Sequence, residues 1–371
     1  MYVWIHQSVL ATRWDDDENA QHALENLLAS AFEGNHFIDG DLETLRSLAR
    51  LPHLSRRSTA ILNKTANWKP QMEGITARVT RILEVTGDAV TSCKPGDRVW
   101  KIPLGEFKKV SMAARTLLLG ENLIDCDLYK KAAEQYRCLE GLSALAVVLD
   151  TDGAGGSTIV DRYRRLMYER SRITACVVDS DRFSHHEPRL KGTAEACWRI
   201  SEEANWPTVF VCLESRELEN AIPRRFIDEA IQNAPRDRWE QVKRSFGDNL
   251  LIRFADLKNG VSIHWVLRQK GFVGGRDWIA VLKKSPGLRG QAAECMKFQE
   301  CVDGKKSDEI CPECVAIPPV CHDVARRVLD WAEGRTVQKA VEVLDNTEDK
   351  EWLEIGRQVF WACCARSPQR I

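Results

Sequence analysis

The sequence predicts an α/β protein centred on a parallel sheet with helices packed on it. Three observations point there. Between residues 114 and 225, short apolar runs (in ARTLLLGEN, LSALAVVLD, ITACVVDSDR and TVFVCLESRELEN) alternate with segments of helical period. Those runs lack apolar–polar alternation, as expected of strands covered on both faces. They also end in acids or glycines, and parallel sheets place their chemistry beyond the C-terminal ends of the strands.

Composition narrows the class. At roughly 150 residues per domain, 371 residues suggest two or three units. A hydrophobic share of 44% with 29% charged residues describes a globular chain, not a disordered, fibrous or disulfide-stapled one. The 53 Lys+Arg against 54 Asp+Glu leave a net charge of -1, which argues against coating nucleic acid by bulk electrostatics. No window approaches the roughly 18 apolar residues that span a bilayer. The opening MYVWIHQSVL lacks the basic and unbroken apolar regions of a signal peptide. Thirteen cysteines is an odd number, and most, like Cys176 and Cys212, sit in apolar runs as in reduced cytoplasmic proteins. The expectation is a cytoplasmic protein with no membrane contact.

Taken in order, residues 1–65 read as mainly helical, with ALENLLASAF and LETLRSLARL at helical spacing and a break at Gly34–Asn35. The acidic run at 15–18 reads as a solvated helix cap, since four adjacent acids cannot share one face. Segments within 70–113 suggest short strands or a connector. The region 1–113 is therefore an N-terminal helical region plus connector, and 114–225 is the core. In that core, ARTLLLGEN is a strand and DLYKKAAEQYRCL a helix. LSALAVVLD is a buried strand ending in the glycine turn DGAGGST, and IVDRYRRLMYERS is a helix. ITACVVDSDR, TAEACWRISEEAN and TVFVCLESRELEN come next as strand, helix and strand. Residues 226–371 form a mixed, helix-ending region. IPRRFIDEAI and DRWEQVKRSF look helical, KNGVSIHWVLRQ carries turns and strands, and GFVGGRDW shows no helix start. The C-terminal helices are expected to pack on the sheet.

One cysteine cluster stands apart: Cys301, Cys311, Cys314 and Cys321, with C-P-E-C supplying two soft ligands in a tight turn. Four such ligands suit a structural Zn2+, although no second C-x-x-C is present; the alternative is unligated thiols in a loop. Twelve tryptophans are many, and core burial is their commoner use over base stacking.

The acids carry the chemistry. Glu121 and Asp125 come after the first core strand, about one helical turn apart, and Asp179 and Asp181 after the third. On an extended chain Asp179 and Asp181 would point to one side. Carboxylates so close raise each other's pKa, and a hard divalent ion such as Mg2+ would resolve the repulsion. The other reading is strand-end and helix-capping acids. Gly155, Gly156 and Ser157 would bring backbone N–H groups to a phosphate, or serve only as a tight turn. Lys191 would neutralise a transition-state phosphate, or be an exposed loop lysine. His185 and His186 read as solvent-facing. No G-x-S-x-G elbow supports a serine hydrolase.

The order strand–E-x-x-x-D–helix, strand–glycine turn–helix, strand–D-x-D resembles the Toprim domain of topoisomerases, primases and nucleases. Within that group, LLLGENLIDCDLYKK, DGAGGST, CVVDSDR and SRELENAIP are similar to nucleases of the OLD (overcoming lysogenization defect) type and related phage-defence effectors. The resemblance covers residues 114–225 and implies a Toprim-like, Rossmann-like sheet as catalytic core. It implies a metal-dependent nuclease hydrolysing DNA or RNA with Mg2+ or Mn2+, an effector of prokaryotic anti-phage defence. Glu121 would be the acid that handles water or the leaving oxygen. Glu121, Asp125, Asp179 and Asp181 would lie at the metal, with Glu219 at a second ion. Asn122 replaces the glycine common after the first Glu. No G-x-x-x-x-G-K-[ST] motif occurs, so the chain would act alone or with an ATPase or sensor partner. A non-catalytic or partner-activated subunit is the rival reading. A primase is disfavoured, because no paired C-x-x-C ribbon precedes the core.

Overall fold

The computed structural model describes residues 1–246, 250–269, 271–284 and 315–368. The chain divides into two compact units. Unit 1 comprises 1–177, 195–211 and 353–371; unit 2 comprises 178–194 and 212–352.

Unit 1 contains two four-stranded sheets. The first has the order β2-β1-β3-β4, from β1 (Tyr2–Ile5), β2 (Phe37–Gly40), β3 (Ile82–Thr86) and β4 (Val99–Pro103), all parallel. Helices α1 (Glu18–Glu33), α2 (Leu42–Leu48) and α3 (Arg56–Thr76) intervene. The region 1–65 is therefore not helical throughout. Its two strands, YVWI and FIDG, are four residues each and almost wholly buried, so they carry no period that a sequence pattern reveals. The acidic run does cap α1: Asp17 accepts from the Ala20 amide at 3.0 Å, and Gly34 closes the helix in the left-handed conformation.

The second sheet has the order β7-β5-β8-β9, with β5 (Thr116–Gly120) paired in parallel to both β7 (Leu149–Gly153) and β8 (Thr174–Val178). Strand β9 spans Thr208–Cys212. The two-residue β6 (Ala146–Val147) instead pairs with β12 (Cys364–Ala365). Strands β5 and β8 are buried along their whole length, and burial of each leucine of β5 is worth about 1.5–3 kcal/mol. Strand β7 is half-exposed throughout because it lies at the sheet edge, which corrects its reading as a buried strand. Helix α4 (Leu123–Leu139) packs on β5 and β7. Helix α5 (Ile159–Glu169) buries Ile159, Tyr163, Leu166 and Met167 at helical spacing. Tyr163 is tied to Thr208 of β9 by a 2.7 Å hydroxyl contact. Helix α6 (Gly192–Ala204) comes after β8 in sequence.

Unit 2 is mostly helical, with α7 (Leu218–Ala221), α8 (Arg224–Ala230), α9 (Ala234–Phe246), α10 (Ile263–Arg268), α11 (Val273–Lys284) and a helix at Val324–Glu333. Strand β10 (Val261–Ser262) pairs antiparallel with β11 (Val315–Ile317). The segment expected to hold strands and turns holds a turn and β10, and its later part forms α10, which Ser262 caps by accepting from the Trp265 amide at 3.0 Å. GFVGGRDW does start a helix, α11, with Gly274 and Gly275 in its first turn. The tryptophans are largely core residues: Trp100, Trp206, Trp239, Trp278, Trp352 and Trp361 are each under 2% exposed. Among the described residues no helix is long and apolar enough to cross a membrane. Of the cysteine cluster, Cys301, Cys311 and Cys314 lie outside the described residues. Cys321 is half-buried, and burial with the Asp323 carboxylate pushes its thiol up to about 11.

Candidate functional site

In unit 1, β5 ends at Gly120 and half-buried Glu121 comes directly after it. Asn122 caps α4, accepting from the Asp125 amide at 3.1 Å. The buried Asp125 carboxylate returns the contact, accepting from the Asn122 amide at 3.2 Å and the Asn122 side chain at 2.6 Å. This reciprocal capping box satisfies two helix-end donors. Asn122, where the resembled family has glycine, is thus the residue that makes the box.

The glycine turn after β7 lies against the same backbone. A Cβ on Gly153 would sit 2.7 Å from the Leu123 nitrogen, so this approach requires glycine. The Ala154 amide donates to the Gly120 carbonyl at 3.1 Å and the Gly155 amide to the Glu121 carbonyl at 2.7 Å. Gly155 therefore contributes its amide to the turn itself. Gly155 and Gly156 take φ of 70° and 49°, and residues 156–158, including Ser157, form a tight turn into α5. Asp152 of β7, which sequence reasoning did not single out, is held by Arg162 at 2.8 Å.

Strand β8 closes at Val178, where the chain enters unit 2. Asp179 and Asp181 are not alternate residues of one strand. The amides of Ser180 and Asp181 both donate to the Arg216 carbonyl, at 3.1 and 3.0 Å, and Asp181 takes φ of 53°. The turn leaves Asp181 exposed and Asp179 half-buried.

Within unit 2, acids gather around a lysine. Glu219, in the single turn of α7, is 3% exposed, and its Oε1 meets Lys258 Nζ at 3.0 Å. Among the described residues its buried Oε2 has no hydrogen-bond partner. Glu217, which caps α7, lies 3.7 Å from Lys258 and accepts from Arg216 Nε at 3.0 Å. Asp256 accepts from the Lys258 and Asn259 amides at 3.0 and 2.7 Å, so this turn holds the backbone of Lys258 in place.

Charge is set by that geometry. Burial works to lower the Lys258 pKa, but Glu219, Glu217 and Asp179 outweigh it and hold the ammonium above the ordinary lysine value. Burial raises the Glu219 pKa, opposed by Lys258 and reinforced by Glu217. Burial, with Asp179 adding to it, pushes the Cys212 thiol up to about 11. Four carboxylates (Asp179, Glu217, Glu219, Asp256) thus face two cations, Arg216 and Lys258. A cavity of about 230 Å³ opens beside them, lined by Arg216, Phe254, Asp256, Asn259, Ser262 and Trp265.

Lys191 is committed elsewhere. It pairs with Glu187 at 2.8 Å and lies 4.3 Å from the centre of the Phe183 ring. Lys258, Arg216, Glu217 and Asp256 were not anticipated. The one local signal was the Asn259–Gly260 turn, which marks a bend and says nothing of the lysine before it.

No protein-family model matches the chain, and neither does any curated protein or solved structure.

Proposed function

We propose that this chain is a divalent-metal-dependent phosphodiester hydrolase acting on DNA or RNA, as its Toprim resemblance implies. Glu219 is the observation that carries this reading. A buried carboxylate oxygen without a partner costs about 1–3 kcal/mol, and a hard cation supplies the missing contact.

Asp179, Asp181 and Glu219 of unit 2 would hold Mg2+ or Mn2+. When bound, such an ion supplies an activated water and offsets charge on the phosphate. The resemblance alone gives Glu121 the role of taking or returning a proton at the attacking or leaving oxygen. Arg216 and Lys258 are the cations of unit 2 suited to binding phosphate. A role in anti-phage defence rests on the resemblance alone.

A second reading, a partner-activated or non-catalytic subunit, is favoured by Lys258 itself, which already compensates Glu219 and Glu217 without a metal. One experiment separates the two. Plasmid, single-stranded DNA, tRNA and total RNA are incubated with the protein and Mg2+ or Mn2+. The same assay is run on Glu121→Ala, Asp179→Ala and Glu219→Gln. Metal-dependent cleavage reduced on the order of 100-fold or more in the variants is expected. Cleavage unchanged in all three would remove the site. No cleavage of any substrate, with or without an ATPase or sensor partner, would leave the subunit reading.

A further inference from the structure

We propose that His185, His186 and Asp277 form a binding site for a borderline divalent ion of the Zn2+ class, separate in chemistry from the oxygen-only acids. Each residue offers one ligand atom, and the three atoms lie within 4.8 Å of one another. His186 Nδ1 lies 2.9 Å from Asp277 Oδ2, and the two imidazole rings are 3.8 Å apart at their centres. Around a tetrahedral zinc with bonds of about 2.0–2.1 Å, ligand atoms stand roughly 3.3 Å apart. Small rotations of exposed side chains reach that spacing. Two imidazoles and one carboxylate suit Zn2+ and its neighbours rather than Mg2+. Both histidines are exposed, so a fourth position faces water.

The frame behind the three ligands is built. Ser184, fully buried, hydrogen-bonds the Asp277 carboxylate and accepts from the His186 amide at 3.3 Å. Such supporting contacts orient metal ligands. Trp278, next to Asp277, donates its indole N–H to the Phe183 carbonyl at 2.7 Å. The Phe183 amide in turn donates to Glu187 at 2.9 Å. Gly274 lies close under the Glu187 carboxylate and Phe183, where an added Cβ would push the Glu187 side chain aside. The segment is thereby fastened to α11 through Phe183, Ser184 and His186. A bound ion would complete the clamp on the segment that opens with Asp179.

The test uses untagged, full-length protein stripped with chelator and kept in a phosphine reductant. Zn2+ is titrated by calorimetry into wild type, the His185→Ala/His186→Ala double variant and Asp277→Asn. Cysteines bind zinc as well, so the readout is the difference between proteins. Each variant is expected to lose one equivalent, or to bind it at least about tenfold more weakly. Their metal-free melting temperatures should match wild type, and the zinc-induced rise should shrink. Co2+ lost from the variants should lack thiolate-to-metal absorption. Equal stoichiometry and affinity in all three proteins would overturn the site, as would a lost Co2+ signal of thiolate character.

Discussion

Asp125 of unit 1 and Glu219 of unit 2 are both buried carboxylates in the first turn of a helix, yet their oxygens are engaged differently. Asp125 accepts two contacts from Asn122 and closes a capping box. Glu219 gives one oxygen to Lys258, and its other oxygen is buried with no hydrogen-bond partner among the described residues. The acid that closes a capping box stabilises a helix end. The acid left half-satisfied stores a demand for a cation. Both groups are buried carboxylates at a helix start, and the partners that reach their oxygens set their roles apart.

The largest effect that bears on this contrast is catalytic. Asp179→Asn is expected to cost about 10²–10⁴-fold in metal-dependent cleavage, as loss of a group acting on the reacting centre does. Asp125→Asn is expected to stay within about tenfold of wild type, since Asn122 still caps α4. Steady-state cleavage rates of the two variants decide it, and equal losses would break the contrast.

Next in size is stability. Lys258→Met leaves Glu219 buried without its cation and should cost about 3 kcal/mol at neutral pH. The sign with pH is fixed by the raised Glu219 pKa. Between the ordinary and the raised value, the folded chain keeps a proton that the unfolded chain has released. Stability therefore falls as pH rises through that window, and the fall should be steeper without Lys258. Urea melts at about pH 5 and about pH 8 test this. The same loss at both would show that Glu219 is not the group responsible.

The smallest effect sharpens the other side. Asn122→Ala removes the cap of α4 and should cost about 1 kcal/mol in a denaturant melt. A loss near zero would mean the capping box contributes nothing in unit 1.

Much of the core was legible because its signals are local. Strands β5, β8 and β9 are apolar runs, and α4 and α5 carry their buried residues at helical spacing. The capping role of Asp17 was readable for the same reason. Strands β1 and β2 were missed because four buried residues show no period. The shared direction expected of Asp179 and Asp181 failed at a turn. The strand stops at Val178, and the carbonyl of Arg216, distant in sequence, holds residues 180 and 181 in a bend. Lys258 was invisible beside Glu219 because the turn built on Asp256 brings it there.

By itself the sequence determined the alternation of strands and helices, their helix caps and the placing of acids and glycines at strand ends. Neighbouring residues decide those features through backbone geometry and local hydrogen bonds. Tertiary structure alone decided which carboxylates are already satisfied, which cation sits among them, and that His185, His186 and Asp277 converge. Charge compensation and ligand geometry depend on distances across the fold, and no local pattern encodes them.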